Sequence, residues 1–181
     1  MSSNVYILSR IYLNRKLTTV TTSEGVTEYQ YDERGYLISV TEPNGNKVSY
    51  TYDEHGNRTG MTYPDGRQAS YAYDLLGQRI STSGDKEDTT YAYDAVGNLI
   101  SQVTTGKYDV SLAYSYDLSG RITSETRTEK KARIQSGYIY DALGQLTEYT
   151  KDDYSESYTY DPAGNMLSKT AGGVKTQYRM M

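Results

Sequence analysis

One short pattern, Tyr-x-Tyr-Asp-x-x-Gly, recurs seven times along the chain and constrains the fold more than any other feature. It first occupies Tyr29, Tyr31, Asp32 and Gly35, then Tyr50, Tyr52, Asp53 and Gly56, then Tyr71, Tyr73, Asp74 and Gly77. It continues at Tyr91, Tyr93, Asp94 and Gly97, at Tyr114, Tyr116, Asp117 and Gly120, and at Tyr138, Tyr140, Asp141 and Gly144. The seventh copy is Tyr158, Tyr160, Asp161 and Gly164. The second tyrosines are separated by 21, 21, 20, 23, 24 and 20 residues. A period of this length means that neighbouring units bury what no single unit can bury alone.

Each period holds two short runs and two turn signals. Asp at the first position of Asp-x-x-Gly can accept a backbone N–H two residues on, and Gly at the fourth suits positive φ. The second turn varies: Pro43–Gly45, Pro64–Gly66, Ser83–Asp85, Thr105–Gly106, Asp152–Asp153 and Ala171–Gly173. Asn-Gly or Asp-Gly between alternating runs marks a β-hairpin. Between turns the period is two. Val48, Tyr50 and Tyr52 share one face of KVSYTY, and in NLISQV the pattern places Leu99, Ser101 and Val103 opposite Ile100 and Gln102. A helix needs a period of 3.6. The expected fold is therefore all-β: a repetitive antiparallel β-hairpin meander forming a curved sheet, with tyrosine ladders along one face. Some 15 strands, spaced by roughly 4.8 Å, would extend about 70 Å. Sheets of that size tend to curl.

Composition fits this reading. Leu, Ile and Val number 29 among 181 residues, and Phe and Trp are absent, whereas Tyr and Thr each number 22. Tyr and Thr favour half-buried pleated strands. An aromatic-rich, partly polar interior is expected. With no Cys and one His, thiol chemistry, disulfides and a His-rich metal centre are excluded. The net charge of −4 shows no basic stripe for nucleic acid. No apolar run reaches the length of a membrane helix, and residues 1–20 lack the apolar core of a signal peptide. No cofactor and no metal are expected.

The array is expected to run from residue 16 to 181, because KLTTVTTSEG aligns with YLISVTEPNG twenty residues later. Residues 1–15 are expected to form a lead-in, read as a degenerate repeat. Tyr178 and Met180 begin an eighth, truncated unit.

These seven motifs resemble the RHS or YD-repeat family, over roughly residues 16–181. The resemblance implies a segment of a large spiralling β-shell of a secreted or cell-surface protein, bacterial in most members and related to the teneurins. It implies parent-chain repeats and an enclosed C-terminal toxin or effector domain as partners. Contact-dependent competition and binding of cell-surface glycans are further family associations, and a carbohydrate-binding module is the alternative reading. Members with a processed toxin carry a DPxGL-like motif. Asp161-Pro162-Ala163-Gly164-Asn165 lacks its Leu and reads as an ordinary turn.

Other candidates are weaker. Seven equivalent aspartates lack the one asymmetric pair a glycosidase needs, and each turn offers too few oxygens for calcium. The tyrosines could stack sugars, but packing with a bonded hydroxyl is the commoner role. His55 is expected at an exposed turn. Glu125–Arg133 reads as a longer hairpin tip, and Gly60 with Met61 departs from the strand pattern. The chain is not expected to be an enzyme, and open edge strands could pair with other copies.

Overall fold

A computed structural model describes residues 7–178. Among them are seventeen β-strands and no helix. Two compact units divide between Asp88 and Thr89. The first contains β1 (Ile7–Leu13), β2 (Lys16–Thr22), β3 (Gly25–Tyr31), β4 (Leu37–Thr41), β5 (Lys47–Tyr52), β6 (Arg58–Thr62), β7 (Gln68–Tyr73) and β8 (Arg79–Ser83). Each of these pairs antiparallel with the next in chain order.

The second unit begins inside β9 (Glu87–Tyr93) and continues through β10 (Leu99–Gly106), β11 (Val110–Tyr116), β12 (Ile122–Glu129) and β13 (Ala132–Tyr140). It ends with β14 (Leu146–Lys151), β15 (Tyr154–Tyr160), β16 (Met166–Ala171) and β17 (Val174–Gln177). From β10 to β17 each strand is again antiparallel to its successor. The expected all-β hairpin meander is what both units contain.

The Asp-x-x-Gly turns share one geometry. At 53–57 the Gly56 N–H donates to the Asp53 carbonyl at 3.3 Å, and the Asp53 N–H to the Asn57 carbonyl at 3.0 Å. Gly56 has φ +87°, a left-handed value that closes the loop as a type I turn with a glycine bulge. All seven motif glycines have positive φ.

Strict alternation fails one pair beyond six of the motif turns. Tyr31 pairs with Leu37 but Gln30 with Ser39, so Ile38 is passed over. The same shift passes over Thr59, Ile80, Thr123, Thr147 and Leu167. One extra residue reverses the phase of the rest of the strand. In NLISQV the expected separation of Ser101 and Val103 from Gln102 is seen. Gln102 pairs with Leu112, whose face carries Tyr114 and Tyr116, while Ser101 and Val103 pair with Ala113 and Ser111 on the other face.

The slot just after the bulge holds a small residue in five of the six units whose pairing is described, Glu148 being the exception. Ser39, Ser81, Ser124 and Ser168 fill it in four units, and Gly60 fills it in a fifth. Ser39 donates to the Gln30 amide oxygen at 3.0 Å. A Cβ on Gly60 would come within 2.5 Å of Thr51 Oγ1. Gly60 thereby leaves room for the Thr51 hydroxyl as it is placed here.

Two expectations about loops change. The chain turns at Lys107–Asp109 rather than at Thr105–Gly106, because β10 runs on through Gly106. The Glu125–Arg133 stretch is not a long tip. Its residues extend β12 and β13 to eight and nine residues, and Lys130–Lys131 alone make the turn.

The expected aromatic interior is also corrected. Among the described residues no hydrophobic side chain is buried, and the buried residues are Ser39 at 3%, Ser168 at 5% and Ser136 at 9% exposure. These are single-layer sheets, with the tyrosine face half-covered by its own side chains.

Candidate functional site

The motif residues occupy two zones, a tyrosine face and a turn edge. On the face, the second tyrosine reaches back one strand in six of the seven motifs. Tyr52 Oη donates to the Leu37 carbonyl at 2.9 Å. Tyr31, Tyr73, Tyr116, Tyr140 and Tyr160 do the same to Leu17, Arg58, Leu99, Ile122 and Leu146, at 2.7–3.0 Å. From Tyr52 onward, the acceptor lies six residues after the previous unit's second tyrosine.

The cause lies in the ladder. Pairing of β4 with β5 stops at Ser39 and Ser49, so the Leu37 carbonyl lies beyond the last cross-strand pair. A buried carbonyl without a donor costs free energy, and the phenol supplies that donor. Phenylalanine has the ring but not the hydroxyl, which gives a physical reason for 22 Tyr and no Phe.

The first tyrosines face the intervening strand rather than each other. Tyr29, Tyr50, Tyr71, Tyr114 and Tyr158 lie opposite Val40, Met61, Thr82, Glu125 and Lys169. Tyr138 has an aromatic partner, Tyr149, with ring centroids 5.5 Å apart. Identical tyrosine rungs cannot form because motif strands alternate with other strands, about 9–10 Å apart. Cations intervene instead. Arg58 lies over Tyr50 and Tyr71 at 5.6 and 5.2 Å, and Arg79 over Tyr71 at 4.8 Å.

One cluster stands out in unit 2. Glu156, with its side chain 13% exposed, accepts from Lys169 at 2.7 Å and from Tyr154 at 2.6 Å, and also bonds Tyr158. Lys169 first, then the two hydroxyls, hold the Glu156 carboxyl down to about 2. Partial burial, then the carboxylate, push Tyr158 up to about 12. Every acceptor and cation here is already paired within the chain.

On the turn edge, each motif carboxylate holds its own loop. Asp94 accepts from the Val96 and Asn98 backbone N–H groups at 3.0 and 2.8 Å, and from the Asn98 amide at 2.9 Å. The side-chain amides of Asn57, Asn98 and Asn165 are the foremost cause that keeps Asp53, Asp94 and Asp161 below the usual carboxylate range. For Asp117 it is the Arg121 backbone N–H. Asp32 is also lowered, although desolvation opposes its hydrogen bonds.

Successive turns touch. A Cβ on Gly144 would lie 2.9 Å from the Arg121 guanidinium, and one on Gly164 would lie 3.1 Å from the Gln145 amide. Arg34 donates to the Asp53 carbonyl at 2.7 Å. Arg121 and Gln145, each four residues after a motif Asp, thus lean over the next motif glycine, as Tyr36 does over Gly56. His55 is exposed. Among the described residues no three His, Cys, Asp or Glu side chains gather as a metal site. The opposite face of unit 1 has an open trough of about 630 Å3, lined in part by Ser49, Thr51, Gly60, Ser70 and Ser83.

The sequence motif locates both zones. The bulge and the hydroxyl-to-carbonyl bonds leave only an indirect trace, the Leu-Ile-Ser spelling after the turn and the exclusion of Phe.

Such a run of hairpins linked one to the next defines a class, the single-layer β-repeat array. The RHS repeat model matches residues 13–47, 35–68 and 52–88, and the teneurin YD-shell model matches residues 105–181. The chain belongs to the RHS/YD-repeat family. A comparison with curated proteins finds no match.

Among solved structures, it is similar to TcdB2-TccC3 without the hypervariable C-terminal region. That likeness has a TM-score of 0.69 and 19% identity, over 90% of this chain and 10% of that one. It is also similar to the Tc holotoxin pore of Photorhabdus luminescens, with a TM-score of 0.63 and 22% identity, over 84% of this chain and 9% of that one. The chain spans about a tenth of the length of these structures.

Proposed function

We propose that this chain is a wall segment of a secreted or cell-surface RHS-type shell, whose parent encloses or presents a C-terminal toxin or effector domain. The observation that carries this reading is the hydroxyl bond from six of the seven second tyrosines to the strand before them. It joins hairpin to hairpin without a buried core, as a thin wall requires. The motif tyrosines, aspartates and glycines are read as rung, turn and closure residues, and the segment as non-catalytic.

The array is read as starting at residue 16. β1 and β2 support the lead-in as a degenerate repeat, since Tyr12 pairs with Leu17 as Tyr31 pairs with Leu37. Tyr178 lies in the described part of the eighth unit; Met180 lies outside it.

Limited proteolysis of the full parent protein tests the enclosure. Its C-terminal segment is expected to resist protease, and to become sensitive when Tyr116, Tyr140 and Tyr160 are changed together to Phe. Equal sensitivity before and after the change would refute enclosure. The glycan-binding alternative would draw on Tyr108 and Tyr154, which are more exposed than the motif tyrosines. A glycan array with no Tyr-dependent hits removes it.

A further inference from the structure

The two hairpin edges of unit 2 differ in chemistry. Along the motif edge, the tip pairs are Ala95–Val96, Leu118–Ser119, Ala142–Leu143 and Pro162–Ala163. None is charged and all are exposed. Leu118 is 108% exposed, Val96 83% and Leu143 74%. The flanking charges are turned inward: Asp94, Asp117, Asp141 and Asp161 hold their own turns, and Arg121 pairs with Asp117 at 2.6 Å. On the other edge the tips include Lys107, Asp109, Lys130, Lys131, Asp152 and Asp153, all exposed.

From this contrast we infer that the motif edge of unit 2 is a self-association surface, and that its occupant is the same edge of a second copy of this chain. The charge pattern selects the partner. An apolar, uncharged row cannot desolvate the charged tips of the opposite edge without loss, whereas its own counterpart carries no charge to bury. Pitch agrees as well, because turns on every second strand recur at about 9–10 Å in both copies.

A two-fold contact is isologous, so the order of the turns is reversed across it. The turn of Leu118 then meets the partner copy's turn bearing Leu143, with both large side chains at the centre. The turn of Val96 meets the small Pro162–Ala163 tip at each end. A contact of four tips lies at the small end of specific interfaces, so the association is weak and concentration-dependent. It is distinct from pairing of open edge strands, and it does not rest on the shell role.

Sedimentation velocity on the full chain tests it, with circular dichroism to check folding. The wild type is expected to pass from monomer to dimer between about 1 and 500 μM, the range of a small transient interface. Leu118→Glu with Leu143→Glu is expected to weaken the dimer at least tenfold. Folding should survive, because Glu33 and Glu54 already stand in the Leu118 slot of other turns. Leu118→Glu with Leu143→Arg places opposite charges across the two-fold and is expected to regain much of the association. A wild type that stays monomeric throughout overturns the inference. So does a Glu/Glu variant that associates as tightly as wild type, or a Glu/Arg variant no better than Glu/Glu.

Discussion

Replacing Tyr116, Tyr140 and Tyr160 by Phe removes three hydroxyls and leaves the rings in place. Each hydroxyl donates to a part-buried carbonyl, at 2.7, 2.9 and 2.8 Å. A hydrogen bond of this kind contributes about 0.5–1.5 kcal/mol net. The three sites lie on alternate strands, far enough apart to add, so the triple change is expected to cost about 1.5–4.5 kcal/mol. At about 2–4 °C per kcal/mol for a chain of this size, Tm falls by roughly 3–18 °C. Scanning calorimetry reads the shift. Tyr114→Phe is the matched control, since desolvation rather than a hydroxyl partner is the foremost influence on Tyr114; its Tm is expected to stay within about 2 °C, as for a change of under 0.5 kcal/mol. A triple variant as stable as wild type, or a control as costly as one triple-set member, would refute the assignment of the hydroxyls as inter-hairpin donors.

Further outcomes follow from single positions. Gly97→Val forces a β-branched residue to φ +94° and is expected to cost about 1–3 kcal/mol in a denaturant melt; an unchanged melt contradicts the turn geometry. Glu156 falls from an ordinary 4.5 to about 2 in the fold, so its contribution is present above 4.5 and lost as pH drops toward 2. Tyr158 rises from 10 to about 12, so its contribution is present below 10 and lost as pH climbs toward 12. Glu156→Gln is expected to flatten the acid limb of a Tm-against-pH curve between pH 4.5 and about 2, and an identical acid limb would remove the cluster from the account. Gly60→Ile overfills the slot beside Thr51 and is expected to cost about 1–3 kcal/mol by urea titration, whereas Gly60→Ser combined with Thr51→Ala is near neutral. Equal losses in the two variants would show that the slot is not size-limited.

Much of the architecture is legible in the residues. Asp and Gly at fixed separation announce the turns, because few other residues combine a short acceptor with tolerance of positive φ. Tyr at alternate positions announces the face. What stays hidden is the consequence of one passed-over residue. Ile38 and Leu167 read as ordinary members of alternating runs, yet they sit at bulges that reverse the phase of everything after them. No local preference marks them, since the shift arises only when two strands are paired. The hydroxyl bonds are hidden for the same reason: the Leu99 carbonyl needs a donor only because β10 and β11 part before reaching it. The small slot leaves a trace as Ser or Gly four residues after most motif glycines, but its meaning needs the cross-strand neighbour.

The reach of each phenol toward the preceding hairpin gives the ribbon a direction. Every module is fastened by the one synthesised after it, so a nascent chain secures its hairpins in the order they emerge. Adding or removing a whole period leaves every remaining fastening intact. Genes for such arrays are free to lengthen and shorten by complete copies, while a change of a few residues breaks one link at a known place.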